Sequence, residues 1–166
     1  MERIMIIGGN GSGKTTLAKV LSNKLKLPLI HLDVLYWRDN WQNASKEEFE
    51  ELLLQEVTQP KWIIDGNHGR TIPLRMKYCD TVIYLDFSRI KCIYGVIKRV
   101  IKNYGKSRPD MGGYCPERFD FDFLKNVWNF NKKNRKRYYD SINNQNHINT
   151  IILKSRKQEE KFLEEL

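Results

Sequence analysis

The sequence predicts an α/β protein: a parallel sheet of about five strands, with helices on both faces and a short lid. Three observations carry that expectation. Short apolar runs alternate with amphipathic stretches from residue 3 onward, the pattern of strands joined by helical crossovers. The runs are almost wholly apolar, as strands buried on both faces must be. The conspicuous polar residues, at 8–15, Asp33 and Asp65, each follow the end of a run, where ligands of parallel sheets bind. The chain has 166 residues, 40% of them hydrophobic, which suits one domain, 1–166, with a lid insertion at about 105–118.

Each element has its own signal. Residues 3–7 read as a buried strand. Residues 14–25 read as a helix, with Leu17, Val20, Leu21 and Leu25 at helical spacing. Residues 28–32 form a second strand. Ser45 with Glu48 is a capping-box pair, and Phe49, Leu52, Leu53 and Val57 give the apolar face that follows. Residues 62–64 are a third strand ending at Asp65, and 81–85 a fourth. Residues 90–104 read as a basic helix. Gly105, Pro109, Gly112, Gly113 and Pro116 then interrupt the pattern. A helix over 121–141, a strand over 149–153 and a short helix over 157–166 complete the chain.

Composition narrows the function. Lys and Arg number 29 against 20 Asp and Glu, a net charge of +9. The excess lies mostly between Arg89 and Arg137 and favours anionic partners. A lid that closes over phosphates and a weak nucleic-acid face are both compatible with it. Cys79, Cys92 and Cys115 are odd in number and stand at no metal-ligand spacing. Apolar runs are far shorter than the roughly 20 residues that span a bilayer, and no secretory pattern opens the chain, so a cytoplasmic protein is expected. The sequence carries no signal of oligomeric state.

The strongest motif is Gly8-Gly9-Asn10-Gly11-Ser12-Gly13-Lys14-Thr15, with Thr16 beside it. It fits the phosphate-binding pattern G-x-x-x-x-G-K-[ST], between an apolar strand and an amphipathic helix. Its glycines let backbone N–H groups turn inward as an anion nest, and the helix N-terminus adds its positive end. Lys14 supplies a charge for the outer phosphates, and Thr15 a hydroxyl for magnesium. The expected ligands are ATP and Mg²⁺, in a P-loop nucleoside triphosphate hydrolase fold. Asp65 is the second candidate for magnesium. A GTPase would carry a base-reading Asn-Lys-x-Asp, which is absent.

Asp65-Gly66-x-x-x-Arg70, with the phosphate loop and the basic helix before a Gly/Pro-rich stretch, resembles the adenylate-kinase-like P-loop kinases. A longer pattern extends over nearly the whole chain: His31-Leu32-Asp33-x-Leu35-Tyr36-Trp37, Asn67-His68-Gly69-Arg70-Thr71, Arg108-Pro109-Asp110-Met111, Cys115-Pro116-Glu117-Arg118 and Trp128-Asn129-Phe130. It resembles the bacterial DNA topology modulation proteins, a branch of that superfamily. The resemblance implies a kinase core with a short lid and names no acceptor. It also implies that arginines of the lid and its flanking helices close over the phosphates; Arg99, Arg108, Arg118 and Arg135 are the candidates, with Arg70 for an anionic group. Residues 153–155 would border the adenine. Asn67-His68-Gly69 stands where adenylate kinases carry Phe-Pro before their arginine, and Asp33 with its aromatics replaces their nucleotide pocket, which argues against AMP as acceptor.

Asp33 after the second strand is placed to meet an attacking hydroxyl, and this placement resembles nucleoside, gluconate and shikimate kinases, where an aspartate after that strand meets the substrate hydroxyl. Tyr36, Trp37 and Trp41 offer faces for a planar or sugar-like ligand. His31 is expected to satisfy a strand end, while His68 belongs to the motif loop. The expected activity is magnesium-dependent phosphoryl transfer from ATP to a nucleotide, nucleoside or other small hydroxyl acceptor. The alternative is a nucleotide-switched DNA-associated regulator resting on the late basic run, Lys132 to Arg137.

Overall fold

The computed structural model describes residues 1–145 and 147–166. Five strands make one wholly parallel sheet: β1 (Arg3–Gly8), β2 (Leu29–His31), β5 (Trp62–Asp65), β6 (Thr81–Leu85) and β7 (Asn149–Leu153), in the order β2-β5-β1-β6-β7. β1 is central. The chain leaves it toward β5 and β2 and later returns to β6 on the other side, so a crevice opens at its carboxyl end. The register sets Ile6 beside Asp65 and Gly8 beside Leu85. The carboxylate of β5 is thereby held at the root of the glycine loop.

Residues 4–7 have no exposed surface, and their side chains alternate between two cores. Ile4 and Ile6 pack with Leu17 and Leu21 of α1 (Lys14–Leu25) and Cys92 and Val96 of α5 (Arg89–Asn103). Met5 and Ile7 pack with Leu32 of α2 (Leu32–Tyr36), Phe49 and Leu53 of α3 (Lys46–Val57), Met76 of α4 (Ile72–Tyr78) and Tyr138 of α6 (Phe121–Asn143). The last helix, α7 (Arg156–Glu164), follows β7. No helix is long and apolar enough to cross a membrane among the described residues.

Three elements depart from the sequence reading. The second strand stops at His31 because Leu32 begins α2. A hairpin follows, β3 (Trp37–Arg38) with β4 (Gln42–Asn43), turned by Asn40 and Trp41 at φ near +56° and +60°. The third is α4. The Ser45 cap accepts from the Glu48 N–H at 3.1 Å, but the reciprocal half of the capping box is missing. The Glu48 carboxylate instead takes the Arg38 guanidinium at 2.6 Å, tying α3 to the hairpin.

Candidate active site

The phosphate loop folds as its glycines require. Gly11 and Gly13 sit at φ +79° and +95°, a region L side chains rarely enter. A Cβ at Gly11 would lie 2.2 Å from the Cys92 carbonyl oxygen, and one at Gly13 would meet the Arg156 guanidinium at 2.5 Å. The loop is therefore clamped between α5 and α7. Gly95 completes the fit on α5, where any side chain would strike the Gly11 carbonyl. Arg156 also donates to the Ser12 carbonyl at 2.9 Å.

Lys14 folds back over the loop, its Nζ donating to the Gly8 and Gly9 carbonyls at 3.0 and 3.1 Å. Burial pushes its pKa below the usual lysine value; the charges of Asp65 and Asp33 oppose that fall. Thr15 donates to Asp65 Oδ2 at 2.8 Å, and His31 Nδ1 lies 2.6 Å from the other carboxylate oxygen. A hydroxyl and a carboxylate beside an anion nest fit magnesium, which takes few protein ligands and completes its shell with phosphate and water.

Beyond Asp65 the chain turns at Gly66, and Asn67 reaches back to the loop. Its Oδ1 accepts from the Gly8 N–H at 3.2 Å, and its Nδ2 donates to Asn10 Oδ1 at 3.4 Å. Arg75 of α4 supports this turn from beneath. It has no exposed surface and no carboxylate partner among the described residues, and it donates to the Gly66 and Asn67 carbonyls at 3.0 and 2.6 Å. Burial pushes its pKa down to about 10. Arg75→Met should cost roughly 1–3 kcal/mol, because two buried carbonyls lose a charged donor. Urea unfolding measures it; a loss below about 0.5 kcal/mol would show that the turn needs no such prop.

Asp33 faces the same crevice from α2. Its Oδ1 lies 3.2 Å from His68 Nε2. The His68 ring is packed against Tyr36 and Phe49, at centroid distances of 4.5 and 4.9 Å, and its backbone is held at φ +23°. Burial pushes the Asp33 carboxyl up, but the bond to His68, its charge, and those of Lys14 and Arg108 outweigh it and leave the pKa below the usual value.

The segment 105–118 closes the far side. Gly112 N–H donates to the Asp33 carbonyl at 3.2 Å, Asn40 N–H to the Tyr114 carbonyl at 2.9 Å, and the Trp41 indole to the Pro116 carbonyl at 3.3 Å. The segment is thus bonded to α2 and the hairpin. Glu117, 3% exposed, takes Arg108 at 2.7 Å and Arg99 at 2.9 Å; Arg108 also pairs with Asp110. Together these elements line a cleft of about 810 Å³ that is open to solvent on one side.

Of the residues singled out by the sequence, Asn10, Gly11, Gly13, Lys14, Thr15, Thr16, Asp33, Asp65, Arg99, Arg108 and Arg118 line this cavity. Gly8, Gly9 and Ser12 are buried behind them. Three other candidates do not line it: Tyr36 packs into the core against Phe49 and His68 instead of facing a ligand. Arg70, in a turn of 3₁₀ helix, faces outward to Glu50 of α3 at 3.2 Å. Arg135 is drawn to Asp86 after β6 at 2.7 Å, a carboxylate that also accepts from the Tyr139 hydroxyl. Arg75 and Arg156 carried no sequence signal of a site role; Asn67 stood in a quoted motif with no role assigned to it. Asp110 and Glu117 stood inside the quoted motifs with no role assigned to them.

Residues 4–65, from β1 to Asp65, match the family model of the ATPase family associated with various cellular activities (AAA). The chain is 28% identical to a shikimate kinase of Enterococcus faecalis over 123 residues, covering 66% of this chain and 71% of that protein. It is also 28% identical to a shikimate kinase of Azobacteroides pseudotrichonymphae over 144 residues, 76% and 81% of the two chains. Among solved structures, shikimate kinase from Bacteroides thetaiotaomicron superposes with a TM-score of 0.58 at 17% identity, over 99% of this chain and 95% of that one. The Bacillus subtilis YorR protein, in complex with phosphorylated GDP, superposes with a TM-score of 0.57 at 14% identity, over 98% and 91%. The sheet order, the glycine loop and these likenesses agree: the chain has the α/β P-loop nucleoside triphosphate hydrolase fold, in the form found in P-loop kinases.

Proposed function

We propose that this protein is an ATP-dependent kinase that phosphorylates a hydroxyl of a small acceptor, with magnesium. The observation that carries this reading is the complete phosphate loop facing Asp33 across one open cleft. The likeness to shikimate kinases supports it. The loop N–H groups and Lys14 hold the phosphates. Thr15 and Asp65 would hold magnesium, which neutralises phosphate charge when bound. Asp33, oriented by His68, aligns the acceptor hydroxyl and takes its proton as the new O–P bond forms and the bond from the γ-phosphorus to the bridging oxygen breaks, releasing ADP. Arg118, without a carboxylate partner among the described residues, is the lid cation freest to meet the phosphates. The segment 105–118 acts as the lid, excluding water that would otherwise compete for the phosphoryl group.

A panel of hydroxyl metabolites with ATP and magnesium, read by ADP release, tests the proposal. At least one acceptor should raise ADP formation well above the acceptor-free rate. The competing reading is a DNA-associated regulator, which the exposed Lys132, Lys133, Lys136 and Arg137 of α6 would serve. A flat panel, together with tight duplex binding that survives physiological salt, would overturn the kinase in its favour.

A further inference from the structure

We infer that the acceptor is an uncharged, ring-bearing hydroxyl compound of the nucleoside class rather than a carboxylate or a phosphate monoester. The inference rests on the kinase reading above and concerns the wall opposite the phosphate loop. That wall consists of Asp33, Trp37, Trp41 and the lid residues Arg108 to Met111.

An anionic acceptor needs a cation there, and none is free. Arg108, the cation in this wall, is bound by both Asp110 and Glu117. The three side chains are only 12%, 9% and 3% exposed: they line the cavity, but their polar atoms are turned largely to one another. An acceptor anion could reach Arg108 only by displacing Asp110 and leaving a buried carboxylate unpaired, which is strongly unfavourable. Arg99 is likewise held by Glu117. Arg70, the residue expected to hold an anionic group, points away to Glu50. The cavity's cations without carboxylate partners among the described residues are Lys14, Lys19, Lys102 and Arg118. They come from α1, α5 and the returning limb of the lid, not from the hairpin or α2. A second anion would also meet Asp33 and Asp110 at close range.

What the wall does offer is a carboxylate for a hydroxyl and a pair of indoles. Trp37 and Trp41 meet edge to face with centroids 5.4 Å apart, and both line the cavity. Indole faces favour flat or ring-bearing ligands and give no preference for negative charge. The Met111 thioether beside them adds an adaptable apolar surface.

The test is calorimetry on the protein saturated with magnesium and a non-hydrolysable ATP analogue. Uncharged nucleosides, their 5′-monophosphates and shikimate are titrated in turn. At least one nucleoside should bind tenfold or more tighter than its own monophosphate, and shikimate should bind no better than the monophosphate. Tighter binding of a monophosphate or of shikimate overturns the inference. So does binding of the analogue with no nucleoside bound, which leaves the phosphate-site reading intact. Failure of the analogue itself to bind would remove that reading and this one together. Asp110→Asn supplies the second arm. Arg108, left with Glu117 alone, should improve monophosphate affinity about tenfold and narrow the gap; an unchanged gap in a folded variant overturns the role given to Asp110. If that variant does not fold, the wild-type comparison decides alone.

Discussion

Lys14→Ala should weaken triphosphate binding by about 10²-fold or more while leaving the protein folded. Its Nζ is positioned over the loop by two carbonyls, Gly8 and Gly9, within the concavity that backbone N–H groups line. Phosphate oxygens entering that concavity become its natural acceptors. Two charge-assisted bonds at roughly 1.5–3 kcal/mol each correspond to about 10²–10⁴ in affinity. The fold should survive for a separate reason. Lys14 is buried without an ion pair, so burial already disfavours its charge, and removing it relieves that cost. The carbonyls of buried Gly8 and Gly9 lose that donor, a cost offset by no longer burying a lysine charge. Calorimetry with ATP and magnesium reads the affinity, and thermal melting without nucleotide reads the fold. Equal affinity in wild type and variant would remove the basis for a phosphate site here.

The phosphate loop and the sheet were legible because their chemistry is local. Gly8 to Thr15 requires only the chain itself to form a nest, and an apolar run such as 81–85 is a strand in almost any context. The hairpin at Trp37–Asn43 was not legible, since two-residue strands carry no periodicity and its turn uses Asn40 and Trp41 in place of glycine. α4 was hidden for a related reason. Its seven residues include a fully buried arginine, which breaks the apolar pattern that would reveal a helix. The direction of a side chain was the hardest property to read. The spacing from Asp65 to Arg70 suggested a site residue, but the turn of 3₁₀ helix at Gly69–Thr71 aims it at α3. Likewise α6 has 23 residues, and a small error in its phase turns Arg135 from the cavity to Asp86. Nor could the sequence show that Arg108 is engaged by carboxylates from its own segment, the feature on which acceptor choice depends.

Asp33→Asn should preserve ATP affinity and lower turnover by about 10²-fold or more, the range for a lost acid–base group. The amide keeps the shape and can still meet His68, so packing of α2 should not change. What it loses is the charge that aligns the acceptor hydroxyl and the lone pair that takes its proton. The depressed pKa of Asp33 has a kinetic consequence with a definite sign. A lowered value means the carboxylate is already ionised throughout the neutral range and loses activity only as pH falls through its folded pKa, below the ordinary value of about 3.9. The wild-type rate should therefore show no acid limb from Asp33 between pH 5 and 8, and any limb there belongs to another group. Removing the His68 partner should reverse part of the shift. In His68→Ala, burial of Asp33 is opposed by fewer charges, so its pKa rises and the acid limb moves toward neutrality. Turnover against pH for the three proteins, on one identified acceptor, separates these effects. Unchanged turnover in Asp33→Asn would return this residue to a structural role, that of holding His68 against Tyr36 and Phe49.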